Sequence, residues 1–183
     1  MLAAHRGNVR AAILDAVSAL VSERGACAPT MAQIAEAAGV TRATVHTCFA
    51  DVESIMRAWH DRQVANHLGY LDDVGDQPGA PLQRLEAVLR AYAAIMHQTY
   101  DHRTSELGRS LHDDEHLGHA RRHLHETVRN LIAEGARAGH LRDDVSPDEL
   151  TAHCLHTIDA IGGQPSAAIR QSMSAILAEI RRP

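Results

Sequence analysis

Short polar side chains between Thr30 and Phe49 are the residues whose types and spacing point most directly to chemistry. Thr30 and Thr41 are favourable N-cap residues, and the free N–H groups of a helix start can bind a phosphate beside such a hydroxyl. Gly39 lies between them and permits a sharp turn. The stretch is therefore predicted to form a helix over about 31–38, a turn, and a second helix from Thr41 to about Phe49.

The second of these helices has a polar outer face. Arg42 can bind a phosphate or read guanine, and the small side chain of Ala43 lets the backbone approach DNA closely. This pattern is typical of a helix-turn-helix, whose second helix enters the major groove. The alternative is a helical corner that only packs in a bundle. The candidate DNA-binding residues are Thr30, Thr41, Arg42, Ala43, Thr44, His46 and Thr47.

Histidine is the second residue type that could carry chemistry, since the chain contains 14 of them. Four are spaced by four, three and four residues, which places them on one arc of a helix and allows neighbouring imidazoles to bind one metal. This arc lies roughly 130° from the leucine stripe of the same helix. A metal or haem site and a solvated histidine face therefore both remain open for His112, His116, His119 and His123.

Composition excludes several classes of protein. The 183 residues are 45% hydrophobic and 22% charged, which is typical of a globular chain. There is no apolar run of about 18 residues and no signal-peptide pattern at the N-terminus, so we expect a cytoplasmic protein without a membrane partner. The three cysteines are few and far apart, as in a reducing compartment. No catalytic motif is recognisable, so we predict no catalytic residue and no enzyme.

The charge is unevenly distributed along the chain. The net charge is −5 at pH 7, but residues 1–50 carry four arginines against three acidic residues. The remaining residues carry 14 arginines against 20 acidic residues. The N-terminal segment is thus slightly basic, although the whole chain is acidic.

Helical periodicity extends over nearly the whole sequence, and no alternating strand pattern is present. The fold class is therefore predicted to be all-α. Gly139 is expected to end one helix, and Ser146 to Glu149 combine a capping box with a proline at the first helical position. Besides the helix pair above, helices are predicted at about 6–24, 51–71, 81–100, 104–111 and 114–138, then from 147 to Gly162, and finally around 169–180.

The stretch from Thr30 to Phe49 resembles the DNA-binding domain of the TetR (tetracycline repressor) family. The resemblance lies in Ile-Ala-x-x-Ala-Gly-Val over residues 34–40, in the hydroxyl residue that opens the next helix, and in Phe49, which closes it. It implies a helix-turn-helix domain over 1–50 and an effector-binding and dimerisation domain over 51–183. It further implies a homodimeric regulator, most simply a repressor, that a small-molecule effector releases from operator DNA, with no resident cofactor.

The resemblance also implies an effector pocket among the central helices of the second domain. Few aromatic residues are available to line it, which favours a modest-sized ligand with a polar or anionic group facing histidine. Ordinary core packing is the alternative for each candidate. These candidates are Trp59, Tyr92, Met96, His97, Tyr100 and Leu107.

The last two predicted helices each carry an apolar stripe. The resemblance implies that they form a four-helix bundle between two subunits. Packing within the chain is the alternative. The candidate interface residues are Leu155, Ile158, Ile161, Ile169, Met173, Ile176 and Ile180.

Overall fold

A computed structural model describes residues 2–24, 28–100 and 115–182. Its described part is all-α, apart from one isolated antiparallel pairing between Leu141 and Arg181. The chain divides into two compact units. Residues up to Val64 belong to the first unit, and 65–100 with 115–182 belong to the second. The helices are α1 (Leu2–Arg24), α2 (Met31–Ala37), α3 (Arg42–Cys48), α4 (Val52–Gly75), α5 (Pro81–Gln98), α6 (Glu115–Arg137), α7 (Pro147–Ile161) and α8 (Ser166–Ile180).

The first unit packs α1, α2, α3 and the start of α4 around one core. Helix α1 turns its inner face to this core, where Ile13 and Val17 are fully buried. Each of the other three helices also contributes a fully buried apolar side chain, namely Ile34, Val45 and Ile55. Helices as short as α2 and α3 are marginal in isolation, so this shared core keeps them folded.

The second unit packs α5 to α8, together with the C-terminal part of α4, around a larger core. Each of α5 to α8 buries apolar side chains in this core, for example Leu85 of α5, Val128 of α6 and Ile158 of α7. The predicted start of α7 is also confirmed, since Ser146 Oγ accepts from Glu149 N at 3.2 Å. Such caps satisfy backbone groups that a helix end leaves without partners.

The loop after α6 is fixed by backbone and side-chain packing. Gly139 has a φ of 74°, a left-handed conformation that favours glycine. Leu141 is fully buried and packs so closely on Gly135 that a Cβ at that glycine would lie 2.6 Å from Leu141 Cδ1. The Arg142 N–H donates to the Ile180 carbonyl at 3.0 Å. These contacts tie the loop to the end of α8.

Two helix boundaries differ most from the sequence prediction. Helix α1 begins at Leu2 rather than near residue 6, and α4 continues to Gly75 rather than ending near residue 71. The longer α4 has a physical reason, because Leu71 is buried in the second unit and Val74 packs against the same core. The helix predicted over 104–111 lies outside the described residues.

The apolar residues predicted to form the subunit interface are for the most part core residues of a single chain. The prediction is wrong for five of them, because neighbouring helices of the same chain already cover their side chains. Leu155 and Ile161 are only partly buried, yet they pack against that same core. The five buried residues are Ile158 (0% exposed), Ile169 (7%), Met173 (4%), Ile176 (2%) and Ile180 (0%).

Candidate nucleic-acid interface

Helix α2 and the turn that follows it are set by short-range hydrogen bonds. The Thr30 N–H donates to Gln33 Oε1 at 2.9 Å, and Gln33 N donates to Thr30 Oγ1 at 3.4 Å, which together make a capping box. After α2, Gly39 adopts a φ of 65°. The Val40 N–H then donates to the Ala35 carbonyl at 3.0 Å. This closes the tight turn that the sequence predicted and directs the chain into α3.

Helix α3 is capped at its start and braced by threonine hydroxyls. Thr41 precedes it in extended conformation, and its Oγ1 accepts from Thr44 N at 3.1 Å. The hydroxyl oxygens of Thr41 and Thr44 are 2.8 Å apart, and Thr47 Oγ1 donates to the Thr44 carbonyl at 2.6 Å. The Phe49 N–H donates to the Val45 carbonyl at 2.9 Å and ends the helix.

The two faces of α3 divide as the sequence predicted. Val45 is fully buried, and Phe49, which directly follows the helix, is 5% exposed. The opposite face brings most of the candidate residues together in solvent, and Thr30 is likewise exposed at the start of α2. Thr44 is half-buried, and its hydroxyl faces Thr41. The exposed candidates of α3 and its cap are Thr41, Arg42, Ala43, His46 and Thr47.

A carboxylate cap orients the start of α4, the next element after α3. Asp51 Oδ1 accepts from Ser54 N at 2.7 Å. This backbone hydrogen bond, assisted by the Ser54 hydroxyl, holds the pKa of Asp51 below its ordinary value of 3.8. One turn later, Arg57 makes an ion pair with Glu53 at 3.0 Å. The hydrogen bonds that brace this corner could not be read from the apolar periodicity.

Trp59 belongs to the core of the first unit, and its predicted role in lining an effector pocket stays a prediction. Its side chain packs in the same cluster as Val17 and Ile55 and is 9% exposed. The indole Nε1–H donates to Ser18 Oγ at 2.9 Å. Arg62 donates to the same hydroxyl and makes an ion pair with Asp15 at 2.8 Å. This polar network fastens α4 to α1.

Four other effector candidates lie on the C-terminal half of α5 or just beyond it, and they contact α7 and the turn between α7 and α8. The Tyr92 hydroxyl donates to Asp159 Oδ1 at 2.6 Å. Met96 is half-buried and packs against the core of the second unit. Leu107 lies outside the described residues. Asp159 is a polar residue of this region that sequence reasoning missed.

The turn between α7 and α8 closes against the same end of α5. His97 Nδ1 is 3.0 Å from the Gly162 carbonyl oxygen, and its Nε2 is 3.2 Å from Ser166 Oγ. The Tyr100 ring lies directly against Gly163, where no larger residue would fit without a shift. Sequence reasoning assigned Gly162 only a role in ending the helix.

The predicted histidine arc is only partly described. His112 and the side chain of His116 lie outside the described residues. His119 is exposed, and His123 Nε2 lies 2.9 Å from Asp72 Oδ2. Within the described parts of the chain, no three His, Cys, Asp or Glu side chains are placed to hold a metal ion together. The described geometry therefore gives the metal or haem alternative no support.

A search of the described helices for membrane spans found none that is both long and apolar enough to cross a bilayer.

Comparisons with known proteins agree with the geometry of the first unit. Residues 13–58 match the family model of bacterial regulatory proteins of the tetR family. This range contains α2, the glycine turn, α3 and the start of α4. Comparison with curated protein sequences finds no match.

Solved structures share the fold over most of the chain. A TetR/AcrR-family regulator from Thermobifida fusca has a TM-score of 0.75 and 22% identity, with 94% of this chain and 98% of that chain covered. A TetR regulator from Haloarcula marismortui has a TM-score of 0.75 and 19% identity, covering 96% and 100%. FadR from Bacillus subtilis, solved with stearoyl-CoA, has a TM-score of 0.67 and 15% identity, covering 92% and 98%.

These identities establish a common fold, while the sequence match covers the helix-turn-helix itself. The two findings agree with the motif between Ile34 and Phe49. Residues 13–58 therefore form a domain of the tetR-family type, and the chain as a whole shares the fold of solved TetR-family regulators.

Proposed function

We propose that this protein is an operator-binding transcriptional repressor that a small-molecule effector releases from DNA. One observation carries the proposal: α3 is capped by Thr41, anchored by the buried Val45, and presents an exposed polar face. A capped helix N-terminus offers backbone N–H groups to phosphate, and short polar side chains beside it can reach base edges. We assign base and phosphate contacts to this face, with Thr30 at the start of α2 as a further phosphate contact.

Sequence-specific binding to an operator would require two copies of the chain. A two-fold dimer presents recognition helices about 34–36 Å apart and reads a near-palindrome. Because the apolar stripes of α7 and α8 are buried within one chain, the dimer surface we propose is formed by the outward faces of these helices. Small residues on these faces would let two helix pairs approach closely. The faces contain Ala152, His156 and Ala160 on α7, and Ala167, Gln171, Ser174 and Ala178 on α8, all of them exposed.

The effector is assigned to the second unit, at the C-terminal end of α5. Met96, His97 and Tyr100 lie there, next to the turn between α7 and α8. An effector that reordered these contacts would change the dimer surface formed by the same two helices. A coupling of only about 1–3 kcal/mol would change operator affinity 5- to 150-fold.

A binding role, rather than catalysis, fits the described reactive groups. Cys154 is fully buried, and burial raises the pKa of its thiol to about 11, so it is not a ready nucleophile. We accordingly propose a regulator that acts on DNA in the cytoplasm.

An electrophoretic shift assay with the intergenic DNA upstream of the protein's own gene tests DNA binding. We expect a retarded complex that Arg42→Ala and His46→Ala weaken by about tenfold or more, since a good base contact contributes about 1–3 kcal/mol. Arg129→Ala is the matched control, because it removes one arginine from the second unit, where Arg129 pairs with Asp148. Failure of the wild-type protein to bind this DNA at low salt would refute the proposal.

Sedimentation equilibrium tests the proposed dimer surface. Ala160→Arg places a charge on the outward face of α7 and should dissociate the dimer, whereas Ala94→Arg, at an exposed position of α5, should not. A monomeric wild-type protein at micromolar concentration would contradict the homodimer. Equal association of all three proteins would place the interface elsewhere.

Stearoyl-CoA is a defined first effector probe, because the related FadR structure contains it. Release of the operator complex by this probe would identify an effector of the acyl-CoA class. Binding without release, measured by calorimetry, would argue against the coupling proposed above.

A further inference from the structure

The four arginines whose side chains are described in the first unit differ in their partners. Arg57 pairs with Glu53 at 3.0 Å, and Arg62 pairs with Asp15 at 2.8 Å. Arg10 and Arg42 have no carboxylate within 4.0 Å among the described side chains. The positive charges of these two guanidiniums are therefore not neutralised by any carboxylate in the described part of this unit.

Arg10 is held at the C-terminal end of α3 by two contacts. Its Nη1 donates to the Cys48 carbonyl oxygen at 3.4 Å, and its Cζ lies 4.2 Å from the centroid of the Phe49 ring. Stacking fixes the plane of the guanidinium, and the hydrogen bond uses only one of its five N–H groups. Because the residue is exposed, further N–H groups remain available to an acceptor in solution.

The two unpaired guanidiniums lie at opposite ends of α3, since Arg42 is its first residue and Cys48 its last. Seven helical residues span about 10 Å. The major groove of B-DNA is about 12 Å wide. A helix of this length that enters the groove brings both of its ends close to the phosphates on either side.

We propose that Arg10 binds a backbone phosphate of DNA beside the C-terminal end of α3, as the counterpart of Arg42 at the other end. The planar, oriented guanidinium suits a phosphate oxygen pair, and Phe49 and Cys48 hold it in place before DNA binds. The contact carries no base information, so it acts on affinity and register rather than on sequence preference. This inference rests on the DNA binding proposed above.

The salt dependence of DNA binding by the full-length protein tests the proposal. Each phosphate contact contributes about 0.9 to the slope of log Kobs against log salt. Arg10→Gln should therefore lower the magnitude of this slope by about 0.9 per protomer. Between 50 and 200 mM salt, the affinity of the variant should then fall about 3.5-fold less per protomer than the affinity of the wild type. The probes are a 30-bp duplex from the upstream intergenic region and an unrelated 30-bp duplex. The slope should decrease by the same amount on both.

Two further variants distinguish the loss of the Arg10 contact from a general loss of positive charge. Arg10→Lys keeps the charge and should retain most of the slope. Arg57→Gln removes another exposed arginine of the same unit that is paired with Glu53, and it should leave the slope unchanged. An equal loss of slope in Arg57→Gln would overturn the proposal, because the effect would then follow from net charge.

A purely structural role for Arg10 predicts a different result. In that case Arg10→Gln would lower the melting temperature and weaken binding to the intergenic duplex alone, with an unchanged salt slope on both probes. That result would also overturn the proposal. If the wild-type protein bound neither duplex at 50 mM salt, DNA binding itself would fail, and this outcome is distinct from an unchanged slope.

Discussion

Helix α3 in the first unit and helix α7 in the second unit each bury one face, but their sequences were informative to different degrees. For α3, the predicted polar face is exposed apart from the half-buried Thr44, and Val45 on the opposite side is buried. For α7, the apolar face was identified correctly, but it was assigned to a partner subunit although Ile158 is buried within its own chain. Periodicity thus identifies which face of a helix is buried, but it does not specify whether the same chain or a partner subunit covers that face.

The largest effect expected from this comparison is that of Ile158→Ala. Ile158 is fully buried in the core of the second unit, so the loss of its side chain should lower the free energy of unfolding by about 2–5 kcal/mol. The dissociation constant of the proposed dimer should stay close to that of the wild type, since the residue does not reach the surface. Urea denaturation followed by circular dichroism gives the first quantity, and sedimentation equilibrium gives the second. A marked change in dissociation with unchanged stability would restore the original assignment to the interface.

A smaller effect is expected at Tyr92, which was predicted to face an effector. Its hydroxyl donates to Asp159 Oδ1 at 2.6 Å, so Tyr92→Phe leaves a half-buried carboxylate without this donor. We expect a loss of about 1–3 kcal/mol in the free energy of unfolding. Tyr70→Phe is the matched control, because Tyr70 is 54% exposed and should change stability by less than about 0.5 kcal/mol. Equal stability of the two variants would indicate that Tyr92 contributes little to the fold.

The residues that the sequence assigned correctly depend on local geometry. An N-cap such as Thr41 or Ser146, and a turn such as that at Gly39, are determined by hydrogen bonds and backbone angles within a few residues. Their types therefore indicate their roles directly. This explains why the helix-turn-helix, the start of α7 and the all-α class were all predictable.

The residues that were assigned wrongly, or missed, depend on contacts between distant segments. Trp59 was predicted only as a pocket residue, and its place in the same core cluster as Val17 and its hydrogen bond to Ser18, 41 positions away in the sequence, were not foreseen. Asp159 was missed because its partner lies 67 positions away. A single sequence contains no signal for such pairings, since many helix packings satisfy the same periodicity.

A pair of matched cap variants tests whether the two units have separate roles. Thr41→Ala and Ser146→Ala each remove an N-cap hydroxyl and should each cost about 1 kcal/mol in the free energy of unfolding. Only Thr41→Ala should also weaken operator binding beyond what its stability loss explains, because Thr41 lies on the proposed DNA-binding face. Fluorescence anisotropy with the intergenic duplex measures this difference. A comparable loss of DNA affinity in Ser146→Ala would show that the cap of α7 matters for DNA binding as much as that of α3.

The smallest effect concerns the pH dependence of the first unit. Hydrogen bonding to Ser54 lowers the pKa of Asp51 in the folded state below 3.8. The ionised carboxylate therefore stabilises the fold above its unfolded pKa, and this contribution is lost as the pH falls through the folded pKa. Asn can accept the same hydrogen bond, so Asp51→Asn should change stability little at neutral pH and should flatten the acid-side decline.

The fluorescence of Trp59, the only tryptophan in the sequence, reports unfolding of the first unit in this experiment. The control is Asp144→Asn in the second unit, where Arg142 lowers the pKa of Asp144 in the same direction. Asp144→Asn should leave the acid transition seen by Trp59 unchanged if the two units unfold independently. A shift of that transition as large as the one caused by Asp51→Asn would mean that the two units unfold as one cooperative structure, despite their separate cores.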